Sequence, residues 1–511
     1  MTLKPIKIFN TAGPCNILEH YMLPVLPRLP VVSKMIEANK YFILHAPRQS
    51  GKTTCLQFLT EKINRDNNYY AFKCSLASLR NVTDEDKGMN IVVAQINRAM
   101  EKSTVKAIKE KANAYNSLPA MAETCTKVQK ILNQLCVDLD KNLVVFFDEA
   151  DCLVGPSLIC FLTQIRDGFI ERYESIDSKF PQSLALVGMS NIRDYLTSNH
   201  PETEGYHQAS PFNIVSERLT LANFTMEEIG NLYRQHTVAT GQVFEDSAVE
   251  RAWHWTEGQP WLVNALAHDV VSRQFGGDYS KVISDINIDQ AAKTMILRND
   301  THLDSLLERL KEPRIRRVME AVVAGIDSFP SEISDDDAKY TLDLGLLKKN
   351  LNRNDYQPAN PIYQEVIVRA LSSGLQDSFP AEYVKQASEF MNDNNLNMTG
   401  LLKIFQAYWR ENSEIQTKNY EKDSLLTNSI NQALQKYNIT LNNIDIHKKL
   451  VYDIQKSLIS LSTEALIHLV LHAFLQRVLN GGADFIQREY ALGRLRADIC
   501  VSYKKKRYPV E

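Results

Sequence analysis

The sequence has no apolar run of the ~18 residues that a membrane-spanning helix needs. Its most apolar helix-like stretch, Ala465–Leu479, carries two histidines and reads as a buried helix. The N-terminus MTLKPIKIFNTAGPCN lacks an apolar centre and is not a signal peptide. Cys15, Cys55, Cys74, Cys125, Cys136, Cys152, Cys160 and Cys500 include no C-x-x-C pair, and no Cys/His cluster has zinc spacing. They are expected to be buried or free thiols in a cytoplasmic, non-membrane protein. Charge excess is also missing. The 58 Lys and Arg against 61 Asp and Glu leave a net charge of −3, so binding to nucleic acid or membrane would have to be local. No repeat at a solenoid period is present.

What is present is a length of 511 residues, which suggests roughly three domains. The 44% hydrophobic and 23% charged content is that of a globular protein. YFILH, Tyr41–His45, predicts an apolar strand, then a loop APRQSG and a helix from Lys52 to about Ile63. Further strands are expected at Tyr69–Leu76, Leu143–Phe147, Ser183–Asn191 and Phe212–Leu221. Helices are expected near Asn90–Glu110, Ala122–Leu139 and Ser157–Tyr173. Apolar strands without alternation, separated by helices, indicate an α/β fold with a parallel sheet covered on both faces. From TMEEIGNLYRQHT to about Arg317 the pattern is helical. GLLKKNLNRNDYQPAN then predicts a short hairpin turning at NRND, and helices followed by a hairpin suggest a winged helix.

APRQSGKTT, Ala46–Thr54, matches the phosphate-loop pattern G-x-x-x-x-G-K-[ST], except that Ala46 replaces the first glycine. Backbone N–H groups of Ala46, Pro47, Arg48, Gln49, Ser50 and Gly51 (proline excepted) would cradle phosphate oxygens, helped by the dipole of the following helix. Lys52 would reach the β- and γ-phosphates, and the Thr53 hydroxyl would ligate Mg²⁺ beside Thr54. An alanine at position 46 is tolerable where no positive φ is needed. VVFFDEA ends an apolar strand in two acids. Asp148 is placed to hold Mg²⁺ and Glu149 to polarise an attacking water. An adjacent glutamate marks the hydrolysing, additional-strand branch of P-loop NTPases. The absence of a later N-K-x-D favours adenine. The strand LALVGMSN should lie beside the Asp148 strand and end in Ser190 and Asn191, then Arg193. These could orient the water or contact the γ-phosphate, or be an ordinary exposed loop.

Taken together, YMLPVLPRLP, YFILHAPRQSGKTT, VVFFDEADCLVG, ASPFNI, GQPWLVNALA and LRNDTHLDSL resemble the bacterial AAA-like ATP-binding proteins, near the STAND and archaeal-type ATPases. The resemblance implies an ATPase core at 1–221, a helical lid at 222–314, a winged helix at 315–371 and a helical linker region at 372–461. It implies ATP and Mg²⁺ as ligands. It also puts a base-contacting Gly-x-Pro of the lid on Gly258, Gln259 and Pro260, with Tyr21 and Pro24 nearby.

Residues 462–511 resemble the front of a PD-(D/E)XK nuclease core. In that resemblance Glu464 sits on the helix, Asp498 binds metal, and Glu511 is the glutamate of E-x-K. No lysine follows Glu511, so nuclease activity is not expected of the chain as given. The leading expectation is an ATP-binding and ATP-hydrolysing molecular switch. An ATP-gated DNA nuclease effector and a DNA-binding regulator with ATP as a structural ligand stay open. The basic patch RLKEPRIRR, Arg309–Arg317, could touch DNA or be a solvated helix face. A protein partner through the winged helix and a homo-oligomer are likewise open.

Overall fold

The computed structural model describes residues 6–80, 82–112, 114–115, 123–174, 178–188, 214–298, 301–324, 333–350, 355–376, 385, 389–390, 396–409, 463–479, 483–492, 495–503 and 506–510. The chain forms two compact units. One comprises Met1–Trp253, Glu257–Ile288 and Asp343–Gly345, and the other His254–Thr256, Asp289–Leu342 and Leu346–Glu511.

The first unit is built on a five-stranded sheet of β1 (Tyr41–His45), β2 (Tyr70–Ser75), β3 (Leu143–Asp148), β4 (Ser183–Gly188) and β5 (Val215–Thr220). Their order is β2-β3-β4-β1-β5, and every pairing is parallel. β4 therefore lies between β1 and β3, beside the Asp148 strand as its sequence suggested. Alternate residues feed two cores, because successive side chains of a strand point to opposite faces. Tyr41, Ile43, Val145, Phe147, Leu184 and Leu186 join one core with the helices Glu85–Glu101, Lys127–Asp138 and Gly155–Glu174. Phe42, Leu44, Val144, Phe146, Ala185 and Val187 join the other with Leu56 and Leu59 of the helix Lys52–Asp66. That two-sided burial is why these strands read as continuous apolar runs.

The helical expectation near Asn90–Glu110 resolves into two helices, Glu85–Glu101 and Lys106–Lys111. Asp84 caps the first, accepting from the Lys87 N–H at 2.7 Å. The cysteine expectation needs correction. Cys125 and Cys160 form a disulfide with their Cα atoms 5.4 Å apart. A separation of 35 residues hides this pairing from any motif; packing of the turn Thr124–Thr126 on the helix Gly155–Glu174 creates it. Cys55, Cys74, Cys136 and Cys152 are free and buried.

A group of helices follows in the same unit. Thr225 and Glu228 form a reciprocal capping box at the start of Met226–Thr240, and Gly241 closes that helix in the left-handed region at φ 81°. The helix Pro260–His268 begins with proline at its first turn. Just before it, Gly258 has φ 74°, and its carbonyl accepts from the Phe224 N–H at 2.8 Å.

The second unit holds the helices Thr301–Arg309, Pro313–Ala324 and Pro361–Gln376 and the antiparallel pair β6 (Leu347–Asn350) and β7 (Asp355–Pro358). The expected hairpin is thus present; of its NRND turn, Asp355 opens β7 and residues 352–354 lie outside the described residues. The helix Thr463–Leu479 packs on Pro361–Gln376 and buries Val470, Ala473, Phe474 and Leu475, as its apolar run suggested. It leads into an antiparallel sheet ordered β10-β9-β8, of β8 (Ala483–Leu492), β9 (Leu495–Tyr503) and β10 (Lys506–Val510). Among the described residues no helix is long and apolar enough to cross a membrane.

A β-carbon on Gly258 would lie 1.8 Å from the Phe224 carbonyl oxygen, whereas one on Gly241 meets open space. Gly258→Ala should therefore cost on the order of 3 kcal/mol, left-handed strain plus overpacking. Gly241→Ala should cost only about 1 kcal/mol. Urea denaturation followed by tryptophan fluorescence should show the larger midpoint loss for Gly258→Ala; equal losses would reject this account of the Gly258–Phe224 junction.

Candidate nucleotide-binding site

The loop 46–51 leaves the carboxyl end of β1 and enters the helix Lys52–Asp66. Ala46 is fully buried and is not among the positive-φ residues, so an alanine fits where the motif has glycine. The left-handed positions are Gln49, φ 56°, and Gly51, φ 91°. Gly51 is the N-cap, and no side chain caps the helix. First-turn N–H groups without a side-chain cap, at the positive end of a helix dipole, suit an anion. Ser50 is 2% exposed, and its Oγ has no hydrogen-bond partner among the described residues. A buried hydroxyl in that state costs about 1–3 kcal/mol unless a ligand completes it.

Lys52 Nζ donates back to the Ala46 and Pro47 carbonyls, the latter at 2.7 Å. Burial pushes its pKa down to about 8, while Asp151 and then Asp148 pull it up. The Thr53 hydroxyl donates to Asp148 Oδ2 at 2.9 Å, joining the loop to the end of β3. Asp148 is 2% exposed. It is also paired with Lys73 at 3.6 Å. Glu149 has a left-handed backbone, φ 58°, and its Oε2 accepts from the Ser75 hydroxyl at 2.6 Å. A non-glycine residue held there is strained, a state that persists where surrounding structure enforces it.

Sequence reasoning missed Lys73, Ser75 and Asp151. Lys73 and Ser75 lie near the end of β2, where Ser75 is in register with Asp148. A lysine inside an otherwise apolar strand was the available signal. Asp151 follows the acid pair in a 3-10 turn. Burial raises its pKa, and Gly188 leaves it room, since a β-carbon there would lie 3.0 Å from Asp151 Oδ1.

A cleft of about 370 Å³ opens from this loop toward the helices Met226–Thr240 and Pro260–His268. Gln49 through Cys55 line one side, Phe224, Leu232, Pro260, Trp261 and Asn264 another, and the N-terminal segment a third. The N-terminal segment is tied to both. The Cys15 N–H donates to Thr54 Oγ1 at 3.0 Å, and Trp261 Nε1 donates to the Thr11 carbonyl at 2.8 Å. Pro260 lines the cleft. Gly258 and Gln259 do not line it. Gly258 makes the Phe224 junction, and Gln259 caps its helix by accepting from the Leu262 N–H at 2.6 Å. Tyr21 lines the cleft with its hydroxyl bonded to His236 Nδ1 at 3.1 Å, and Pro24 does not. Pro47 and Arg48 belong to the loop without lining the cleft. Asn191 and Arg193 lie outside the described residues, as does Glu511. Glu464 is on the helix Thr463–Leu479 and Asp498 on β9, in the second unit.

With this geometry in place, the comparison with family profiles is decisive. The profile of the AAA-like domain matches residues 31–368, about two thirds of the chain. The chain belongs to the AAA-like domain family. Among solved structures it is similar to the Walker-type ATPase PABY2304 of Pyrococcus abyssi, with 15% identity, a TM-score of 0.47, and coverage of 70% of this chain and 99% of that one. It is also similar to the Aeropyrum pernix ORC2 protein, with 13% identity, a TM-score of 0.39, and coverage of 68% and 93%. For the Thermotoga maritima RuvB Holliday junction branch migration motor the values are 16%, 0.34, 66% and 92%. No curated protein matches the sequence.

Were a nucleotide to bind in this AAA-like domain, the depressed Lys52 pKa would give its affinity a pH dependence. A polyphosphate beside Lys52 favours the ammonium and raises its pKa, so the bound state holds the proton more tightly. Affinity should be full below pH 8 and fall up to about tenfold per pH unit above it. Calorimetry at pH 9 in buffers of different ionisation enthalpy should show close to one proton taken up on binding. Proton-neutral binding at pH 9, or the same uptake in Lys52→Met, would contradict this.

Proposed function

We propose that this AAA-like protein binds and hydrolyses ATP and uses the cycle as a conformational switch. The observation that carries the reading is the Thr53–Asp148 bond. It sets a hydroxyl and a carboxylate side by side between the phosphate loop and β3, with Glu149 adjacent. Thr53 and Asp148 are the donor types that hold Mg²⁺, which would supply charge neutralisation at the phosphates. The open left-handed Gly51, the uncapped helix start and the unpartnered Ser50 Oγ favour phosphate oxygens at the loop.

Lys52 leaves its two carbonyl partners to bind phosphate. Glu149 orients and polarises the water, for which it must release Ser75. Ser75 therefore acts as a restraint on the base, and Lys73 offsets the charge of Asp148, which together with Thr53 would hold Mg²⁺. Closure of the lid on the cleft is the switching motion, because Pro260 and Trp261 share the cleft with the loop. Asn191 and Arg193 are retained as candidates for water or γ-phosphate contact. In the second unit, the helices and the β6–β7 hairpin support the reading of 315–371 as a winged helix. Its basic patch offers little to DNA. Arg309 and Arg314 pair with Glu312, Arg316 with Glu320 and Arg317 with Asp337.

Three variants test the proposal. Lys52→Ala should abolish nucleotide binding. Glu149→Gln should keep binding and lower kcat by at least about a hundredfold. Ser75→Ala should raise basal kcat about threefold with little change in affinity, since it removes one hydrogen bond on the base. Equal turnover in wild type and the first two variants would reject the site.

A second reading, a nuclease-like module at 462–511, is favoured by a helix followed by an antiparallel sheet whose central strand β9 carries Asp498. Mg²⁺-dependent DNA cleavage lost in Asp498→Ala would establish it; absence of cleavage by the chain would retire it.

A further inference from the structure

Asn264 sits on the lid helix Pro260–His268 and forms part of the cleft wall. It is 7% exposed. Its Nδ2 donates to the Pro260 carbonyl at 2.8 Å. A carbonyl can only accept, so this bond fixes which end of the amide is nitrogen and which is oxygen. The oxygen, Oδ1, has no hydrogen-bond partner among the described residues. A buried acceptor is costly to leave unpaired, and asparagine is a poor residue for a helix interior. Two costs at one position call for a compensating contact.

The other polar side chains at the lid end of the cleft are already committed. The Asn10 amide donates to the Gly13 carbonyl and accepts from the Ala12 N–H. The Tyr21 hydroxyl pairs with His236. The Arg28 guanidinium bonds the Ala222 carbonyl and pairs with Glu228. Of the buried side-chain polar atoms around the cleft, Ser50 Oγ and Asn264 Oδ1 are those without a partner among the described residues. Ser50 belongs to the phosphate loop. Asn264 belongs to the opposite, lid side, where Leu232, Pro260 and Trp261 give an aromatic base an apolar surround. Apolar contact does not separate one purine from another; a hydrogen-bonding group can.

We propose that Asn264 reads the base, its Oδ1 accepting a hydrogen bond from the exocyclic amino group of adenine. Guanine presents an oxygen acceptor at the same ring position, so it would set acceptor against acceptor and be excluded. This rests on the nucleotide reading of the site and adds the identity of the base. Asn264 is then a specificity-determining residue that leaves phosphate binding to the loop.

The test is calorimetric titration of the full chain with ADP, GDP and purine riboside diphosphate, which lacks the amino group. Wild type should bind ADP about tenfold more tightly than purine riboside diphosphate and about a hundredfold more tightly than GDP. Asn264→Leu should lose about tenfold for ADP, keep its affinity for purine riboside diphosphate, and bring that ratio near one. Equal wild-type affinity for ADP and purine riboside diphosphate would overturn the proposal without need of any variant. So would an unchanged ratio in Asn264→Leu. Wild type that binds none of the three fails the nucleotide reading itself. Binding lost in Lys52→Ala with no base preference in wild type fails only the role of Asn264.

Discussion

Strands β1, β3 and β4 are buried on both faces, so a polar side chain on them is affordable only at an end. That constraint fixes where chemistry can occur. The loop leaves the carboxyl end of β1, the acids leave the carboxyl end of β3, and β4 sits between them. Because β1 and β3 are not neighbours, the Thr53–Asp148 bond must reach across the end of β4. Gly188 closes β4 at that point, and its missing side chain leaves room for Asp151.

The same crowding brings charges together. Lys52, Lys73, Asp148, Glu149 and Asp151 share one sheet end, and each charge is offset by a neighbour or by main-chain carbonyls. Two lysines there face three carboxylates. In the proposed function a polyanion with its cation would exchange partners with these groups, which costs less than bringing charge to bare charge. At the same sheet end Glu149, in the left-handed region, is held by the Ser75 hydroxyl.

Much of the first unit was legible from the sequence because its signals are local. Continuous apolar strands, the loop motif and the acid pair each occupy fewer than a dozen neighbouring residues. The position of β4 beside β3 also followed from pattern. What stayed hidden depends on distance in the chain. Ser75 and Glu149 are 74 residues apart, and Lys73 and Asp148 meet only through strand register. Gln259 looked like a base contact beside Pro260 but serves as a helix cap, since a side chain one residue before a proline-led helix is well placed for the free N–H groups of that turn. The Cys125–Cys160 pair likewise has no sequence signature. The two units differ in legibility for the same reason: the second is held by helix contacts between distant segments.

The N-terminal segment is bonded to both sides of the cleft. Cys15 holds the phosphate-loop helix, while Thr11, Tyr21 and Met22 hold Trp261, His236 and Gln235 of the lid. It is a strap across the cleft. Any rotation of the lid against the sheet must stretch it or carry it along. Residues 11–22 thus join the phosphate-loop helix to the helices Met226–Thr240 and Pro260–His268, and a deletion there would remove those bonds.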